Sequence, residues 1–151
     1  MDPVPVLSRQ VCFALYTASR AVTNRYRPIL DELGLTYPQY LAMLVLWERG
    51  DTPVKDLGSA LHLESSTLSP LLKRLEAAGL VERRRRSDDE RSVLVRLTQR
   101  GSQLRERARG VPRELACATG MAPDELESLR QTLERLAATL TGVSDADLVH
   151  G

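Results

Sequence analysis

Aromatic residues are scarce in this 151-residue chain: one Trp, one Phe and four Tyr make up 4% of it. Its core must be built from aliphatic side chains, and every tyrosine placed on a helix face becomes conspicuous. No run approaches the roughly 20 apolar residues that a membrane span requires. The opening Met1-Asp2-Pro3-Val4-Pro5 lacks the basic and apolar regions of a signal peptide, so a cytoplasmic protein without a membrane partner is expected. Cysteine is nearly absent as well. Cys12 and Cys117 stand far apart in the chain, and in a reducing compartment such a pair does not suggest a structural disulfide. His62 and His150 are isolated and no CxxC occurs, so neither a metal site nor a cofactor is expected. No nucleophile has a base and an orienting group at a recognisable spacing, which argues against an enzyme; a thiol peroxidase is the remote alternative.

What the chain does have is uneven charge. Its net charge is only +1, yet between Lys73 and Arg109 twelve Lys and Arg face six Asp and Glu. Nine basic and fourteen acidic residues remain elsewhere. A basic face on an acidic body suits a polyanion, and the alternative is a solvated charged surface. The length fits one domain that buries about two-thirds of its unfolded surface.

The apolar pattern begins helically. Leu7, Val11, Leu15, Ala18, Val22, Tyr26, Ile29 and Leu33 step by three or four, giving one stripe from Leu7 to Leu33. The stripe passes through Pro28, so a kink rather than a stop is expected there, and Gly34 supplies the stop. Such a helix is roughly 40 Å long, too long for one small core to cover, which points to a partner chain. Thr36 and Gln39 have capping-box spacing for a second helix through Tyr40, Leu41, Leu44 and Val45. Thr52-Pro53 starts a third, short helix, and His62-Leu63-Glu64 forms a turn. A fourth helix follows through Leu68, Leu71, Leu72 and Leu75, capped by Ser65, Ser66 or Thr67 and stopped by Gly79.

Two short helices joined by a tight turn fit a helix-turn-helix. Leu80–Arg83 and Val93–Leu97 then read as strands around the charged stretch from Arg84 to Arg91, and a hairpin in this position is a wing. Thr98 caps a fifth helix expected to run into the Pro112 region and toward Cys117. Gly120 breaks the chain, and a last helix from Pro123 carries Leu126, Leu129, Leu133, Leu136 and Leu140 at coiled-coil-like spacing. The fold class is therefore mainly α with a small β-wing, a winged helix-turn-helix flanked by N- and C-terminal helices. Residues 36–98 form the DNA-binding lobe of a single 1–151 chain, and residues 6–34 and 99–141 supply dimerisation helices.

The recognition helix presents Ser65, Ser66, Thr67, Ser69, Lys73 and Arg74. Small hydroxyls at a helix N-terminus approach bases and phosphates closely, whereas Lys73 and Arg74 suit the DNA backbone. Arg91 suits a narrow minor groove, and Asp89 is expected to pair with a wing arginine. Strand side chains alternate, so only some of Arg83 to Arg86 can face DNA; Arg84 and Arg86 are the candidates. A two-fold dimer predicts a palindromic double-stranded operator with half-sites about 10 base pairs apart, or a multiple of that. At the other end, Cys12 lies early in the first helix with Ser8 as the expected cap, where the helix dipole favours the thiolate. Tyr16 is one turn on and within reach of the sulfur. Tyr26 is about 21 Å along the helix, so it can meet only the cysteine of a partner chain.

The whole arrangement resembles the MarR family of winged-helix repressors, through Leu80-Val81-Glu82-Arg83, Asp89-Glu90-Arg91-Ser92, Leu97-Thr98 and Gly101. Within it, the chain is most similar to the organic hydroperoxide resistance regulators. That similarity rests on Gln10-Val11-Cys12-Phe13-Ala14-Leu15-Tyr16, Leu35-Thr36-Tyr37-Pro38-Gln39-Tyr40-Leu41, and Thr67-Leu68-Ser69-Pro70-Leu71-Leu72-Lys73-Arg74-Leu75. The resemblance implies a homodimeric repressor that leaves DNA when an organic hydroperoxide oxidises Cys12. It also implies Tyr37 as a pocket residue and Cys117 as the partner in an inter-subunit disulfide. The rival expectation is a repressor of the same fold that answers a small phenolic or aromatic ligand.

Overall fold

The computed structural model describes residues 4–86 and 89–142, and of residues 86 and 89–91 the backbone alone. The chain divides into two compact units, Met1–Ala108 and Arg109–Gly151. In the first, a 3-10 turn at Leu7–Arg9 precedes α1, Val11–Asp31, and then come α2, Tyr37–Arg49, and the two-residue strand β1, Thr52–Pro53. The helix-turn-helix follows as α3, Val54–Leu61, and α4, Ser65–Ala77; β2, Val81–Arg86, and β3, Asp89–Leu97, form the wing before α5, Gln99–Ala108. The second unit holds α6, Val111–Thr119, and α7, Pro123–Thr141.

Local chemistry accounts for most of these boundaries. Pro28 lies inside α1 without ending it. The helix ends at Asp31, and the turn after it closes at Gly34, whose left-handed φ of 70° carries no steric cost for glycine. Thr36 and Gln39 close a reciprocal capping box at the start of α2: the Thr36 N–H donates to Gln39 Oε1 at 2.9 Å, and the Gln39 N–H to Thr36 Oγ1 at 3.4 Å. Thr98 caps α5 by accepting from the Gly101 N–H at 3.1 Å, while its own hydroxyl donates to the Gly79 carbonyl.

Four expectations need correction. The 3-10 turn puts Gln10 rather than Ser8 at the start of α1, with no side-chain cap. Cys12 is thus the second residue of the helix, nearer its positive end than the spacing implied. At α4 the cap position belongs to Glu64, and its side chain makes no capping bond; Ser65, Ser66 and Thr67 are already helical. Thr52-Pro53 does not begin α3 but pairs with Val95 and Leu94 of β3, making a three-stranded antiparallel sheet of order β1-β3-β2. Two residues are too short for an alternating pattern to announce a strand. Finally, α5 ends at Ala108 and α6 begins afresh at Val111, because Gly110 and Pro112 interrupt the continuous helix expected there.

The core of the first unit is aliphatic. Leu30, Met43, Leu46, Leu57, Leu68, Leu72, Leu75, Val81 and Val95 are buried, with Tyr40 among them. The inner face of α2 is Tyr40, Ala42, Met43 and Leu46, and Leu44 is exposed. Gly101 is where backbone meets backbone: a Cβ there would stand 2.1 Å from the Leu80 carbonyl oxygen. Only glycine permits α5 to press this closely on the entry to the wing.

Candidate nucleic-acid interface and sensor residues

Helix α4 has two opposite faces. Leu68, Leu71, Leu72 and Leu75 are buried, while Ser65, Ser66, Thr67, Ser69, Lys73 and Arg74 are all exposed. The periodicity that sends four leucines inward therefore sends every predicted DNA-contacting side chain of this helix outward. The turn ahead of α4 is closed by His62, whose φ of 56° is the one left-handed non-glycine conformation among the described residues.

The wing hairpin extends farther than the hydrophobic alternation suggested. β2 and β3 are in register from Val81 opposite Leu97 to Arg85 opposite Val93, and an irregularity follows between Arg85 and Arg86. Arginine carries the strand into the tip because an edge strand tolerates charge on either face. Among the described side chains of this run, Arg83 and Arg84 have partners. Glu76 near the end of α4 accepts from the Arg83 backbone N–H at 3.1 Å and from its Nε at 3.2 Å. The bond from the Arg83 side chain holds the Glu76 carboxyl below the usual carboxylate range. Arg84 pairs with Glu82, two residues back on its own strand, at 3.2 Å. The side chains of Arg86, Asp89 and Arg91 lie outside the described residues. Between the helix-turn-helix and the wing runs a cleft of about 990 Å3, bounded by Lys55, His62, Ser65 and Ser69 on one side and by Arg83 and Ser92 on the other.

The sensor candidates are distributed over three helices. Cys12 is exposed in the first turn of α1. Tyr16, four residues on, is also exposed, and the Arg20 guanidinium lies 5.4 Å from the centre of its ring. Tyr26, near the far end of the same helix, packs on Tyr37 of α2 with ring centres 4.7 Å apart. That pair belongs to a larger cluster which sequence reasoning missed. Tyr40 lies 5.9 Å from Tyr26 and 6.5 Å from Trp47. The Trp47 indole in turn donates to the Gly101 carbonyl at 2.9 Å. The signal was present, since Tyr37, Tyr40 and Trp47 follow the three- and four-residue steps of one helix face.

Burial, with the adjacent Tyr37 and Tyr40 hydroxyls adding to it, pushes Tyr26 up to about 12, and Tyr37 and Tyr40 are raised for the same reason. All three therefore remain neutral phenols, able to donate hydrogen bonds, throughout the physiological range. Beside Tyr37, Thr23 and Arg27 line a smaller pocket of about 300 Å3. Cys117 is exposed on α6, in the second unit. Among the described residues no cluster of His, Cys, Asp and Glu could hold a metal ion, and no helix is long and apolar enough to cross a membrane.

Comparison with known proteins follows the same outline. Residues 24–107 match the family model of the SarA/Rot transcriptional regulators. The chain is 46% identical over 134 residues to the organic hydroperoxide resistance transcriptional regulator of Bacillus subtilis (strain 168), covering 89% of this chain and 91% of that one. Among solved structures it is similar to reduced AbfR bound to DNA, with a TM-score of 0.75 and 35% identity over 89% of this chain and 93% of that one. It is also similar to disulfide-formed AbfR, with a TM-score of 0.63 and 38% identity over 87% and 92% of the two chains; AbfR comes from Staphylococcus epidermidis. With a winged helix-turn-helix and relatives matching nearly its whole length, the chain belongs to the winged-helix SarA/Rot, MarR-like family of transcriptional regulators.

Proposed function

We propose that this regulator is a cytoplasmic homodimer that binds a palindromic operator when reduced and leaves it when an organic hydroperoxide oxidises Cys12. One observation carries the reading: an exposed cysteine in the first turn of α1 shares that helix with Tyr26, which stacks on Tyr37. Fourteen residues of helix separate Cys12 from Tyr26 by about 21 Å. The Tyr26–Tyr37 pair therefore serves the cysteine of the other protomer, with two first helices crossing antiparallel. Exposed apolar side chains on α1 (Val11, Leu15 and Val22) and on α7 (Leu129, Leu133 and Leu136) supply a surface for that partner.

The chemistry then runs in two steps. The Cys12 thiolate attacks the distal peroxide oxygen, the O–O bond breaks, and the alcohol leaves with a proton supplied by solvent or a neighbouring phenol, giving Cys12 sulfenic acid. The Cys117 thiol of the partner then attacks that sulfur, forming the disulfide and releasing water. A disulfide requires Cα atoms within about 7 Å, so helices that start farther apart must shift, and the two recognition helices lose their operator spacing. Each protomer reacts once and holds its oxidised state, which distinguishes a sensor from a thiol peroxidase. The similarity to AbfR, known both as a reduced DNA complex and in a disulfide form, supports this cycle.

Non-reducing electrophoresis paired with operator release is the test. The reading expects a dimer-sized band on treatment with cumene hydroperoxide, absent from Cys12→Ser and Cys117→Ser proteins, appearing as DNA is released. A Cys12→Ser protein that still releases DNA on peroxide treatment would refute it. The second reading, a repressor answering a small phenolic or aromatic acid, is favoured by the pocket beside Arg27 and Tyr37. It expects DNA release under reducing conditions that is indifferent to Cys12→Ser.

A further inference from the structure

We infer that Arg85 is the β2 arginine that meets the DNA backbone; the inference rests on the DNA-binding reading and assigns a contact within it. Four consecutive arginines, Arg83 to Arg86, cannot share one face of a strand. The register separates them. Arg83 lies opposite Val95 and Arg85 opposite Val93, whereas Arg84 lies opposite Leu94. Val95 is fully buried, so the face it shares with Arg83 and Arg85 is the one that packs toward the helices.

Arg83 is at the rim of that core and its charge is already engaged. Its guanidinium and its own backbone N–H both go to Glu76 of α4, which ties this strand to the recognition helix. Arg85 is one pleat repeat farther out, about 7 Å along the strand, past the core and exposed. The cleft between helix-turn-helix and wing has Ser65 and Ser69 on one wall and Arg83, Ser92 and Val93 on the other. Arg85 shares the strand face of its partner Val93, a residue of that wall, and so faces the side from which a polyanion lying along the exposed hydroxyls of α4 would approach. Arg84 projects from the opposite face, with Glu82 against it. Pleat and pairing together leave Arg85 with the charge, the exposure and the direction that a phosphate contact needs.

Phosphate contacts are sequence-independent, so a mixed-sequence 30-base-pair duplex serves as the probe. Binding by the full chain is followed by fluorescence anisotropy from 50 to 200 mM KCl. Arg85→Ala is expected to weaken binding and to make the slope of log affinity against log salt shallower by about one per protomer. Arg84→Ala should retain the wild-type slope. A wild-type slope in the Arg85→Ala protein, or an equal loss in Arg84→Ala, would overturn the assignment. A wild-type protein that binds no duplex at all would instead refute the DNA-binding reading on which it rests.

Discussion

Helices α1 and α4 carry apolar residues at the same three- and four-residue spacing, yet the two stripes meet different fates. In α4 all four leucines are buried within the chain. In α1 only Ile29 and Leu30 are buried, while Val11, Leu15 and Val22 remain exposed. Helix α7 repeats the second pattern, with Leu129, Leu133, Leu136 and Leu140 exposed. The winged lobe closes its own core, whereas the flanking helices present faces that in water favour another chain. The proposed roles follow the same division: residues proposed to read DNA stand on a self-sufficient scaffold, and Cys12, the proposed sensor, stands on the helix whose apolar face is left exposed.

The largest expected effect would break the self-sufficient side. Leu72→Ala in α4 removes a fully buried side chain. It should cost about 2–5 kcal/mol of stability, read from denaturant unfolding followed by Trp47 fluorescence. A loss under about 1 kcal/mol would mean that this core is looser than its burial implies. The matching change on the other side, Leu133→Glu in α7, should leave the fold of each chain intact. It should instead shift the protein from dimer to monomer at micromolar concentration in sedimentation, and remove the concentration dependence of Tm that an associating protein shows. If the variant still sediments as a dimer, the exposed face of α7 is not part of the dimer contact.

The same division explains what was legible in the sequence. Elements set by local chemistry were visible: the Thr36–Gln39 capping box, the stop at Gly34, the two inward faces of the helix-turn-helix, and the wing. Those decided by distant partners were not. β1 exists because Thr52 and Pro53 meet Val95 and Leu94 some forty residues on, and no two-residue pattern carries that information. The Ser65 to Thr67 caps failed because three hydroxyls in a row leave the start of a helix ambiguous by a turn, and the chain enters α4 through Glu64 instead. Of the proposed sensor residues, Cys12, Tyr16, Tyr26 and Tyr37 were all recognisable as candidates. Their grouping was less so: Tyr40 looked like ordinary core, and only the packing of α1 on α2 puts its ring against Tyr26.

Two smaller effects sharpen the comparison within the first unit. Trp47→Phe keeps most of the ring contact with Tyr40 but deletes the hydrogen bond to the Gly101 carbonyl. A half-buried bond of this kind is worth about 0.5–1.5 kcal/mol, so a modest drop in unfolding free energy is expected, and no drop would mean that solvent replaces the indole without cost.

The smallest effect at neutral pH belongs to Tyr26, and it becomes visible only in alkali. Its folded-state pKa, pushed up to about 12 by burial, exceeds the ordinary value of 10 that it regains on unfolding. Between those two values the folded chain holds a proton that the unfolded chain has lost. The contribution of this phenol to stability is thus fully present below pH 10 and declines as the pH rises toward 12. Titrating tyrosinate absorbance near 295 nm should show a late-ionising step that Tyr26→Phe diminishes, with little change in stability at pH 7. A step unaltered in the variant would mean that the late ionisation comes from Tyr37 and Tyr40, which are raised as well, and not from Tyr26.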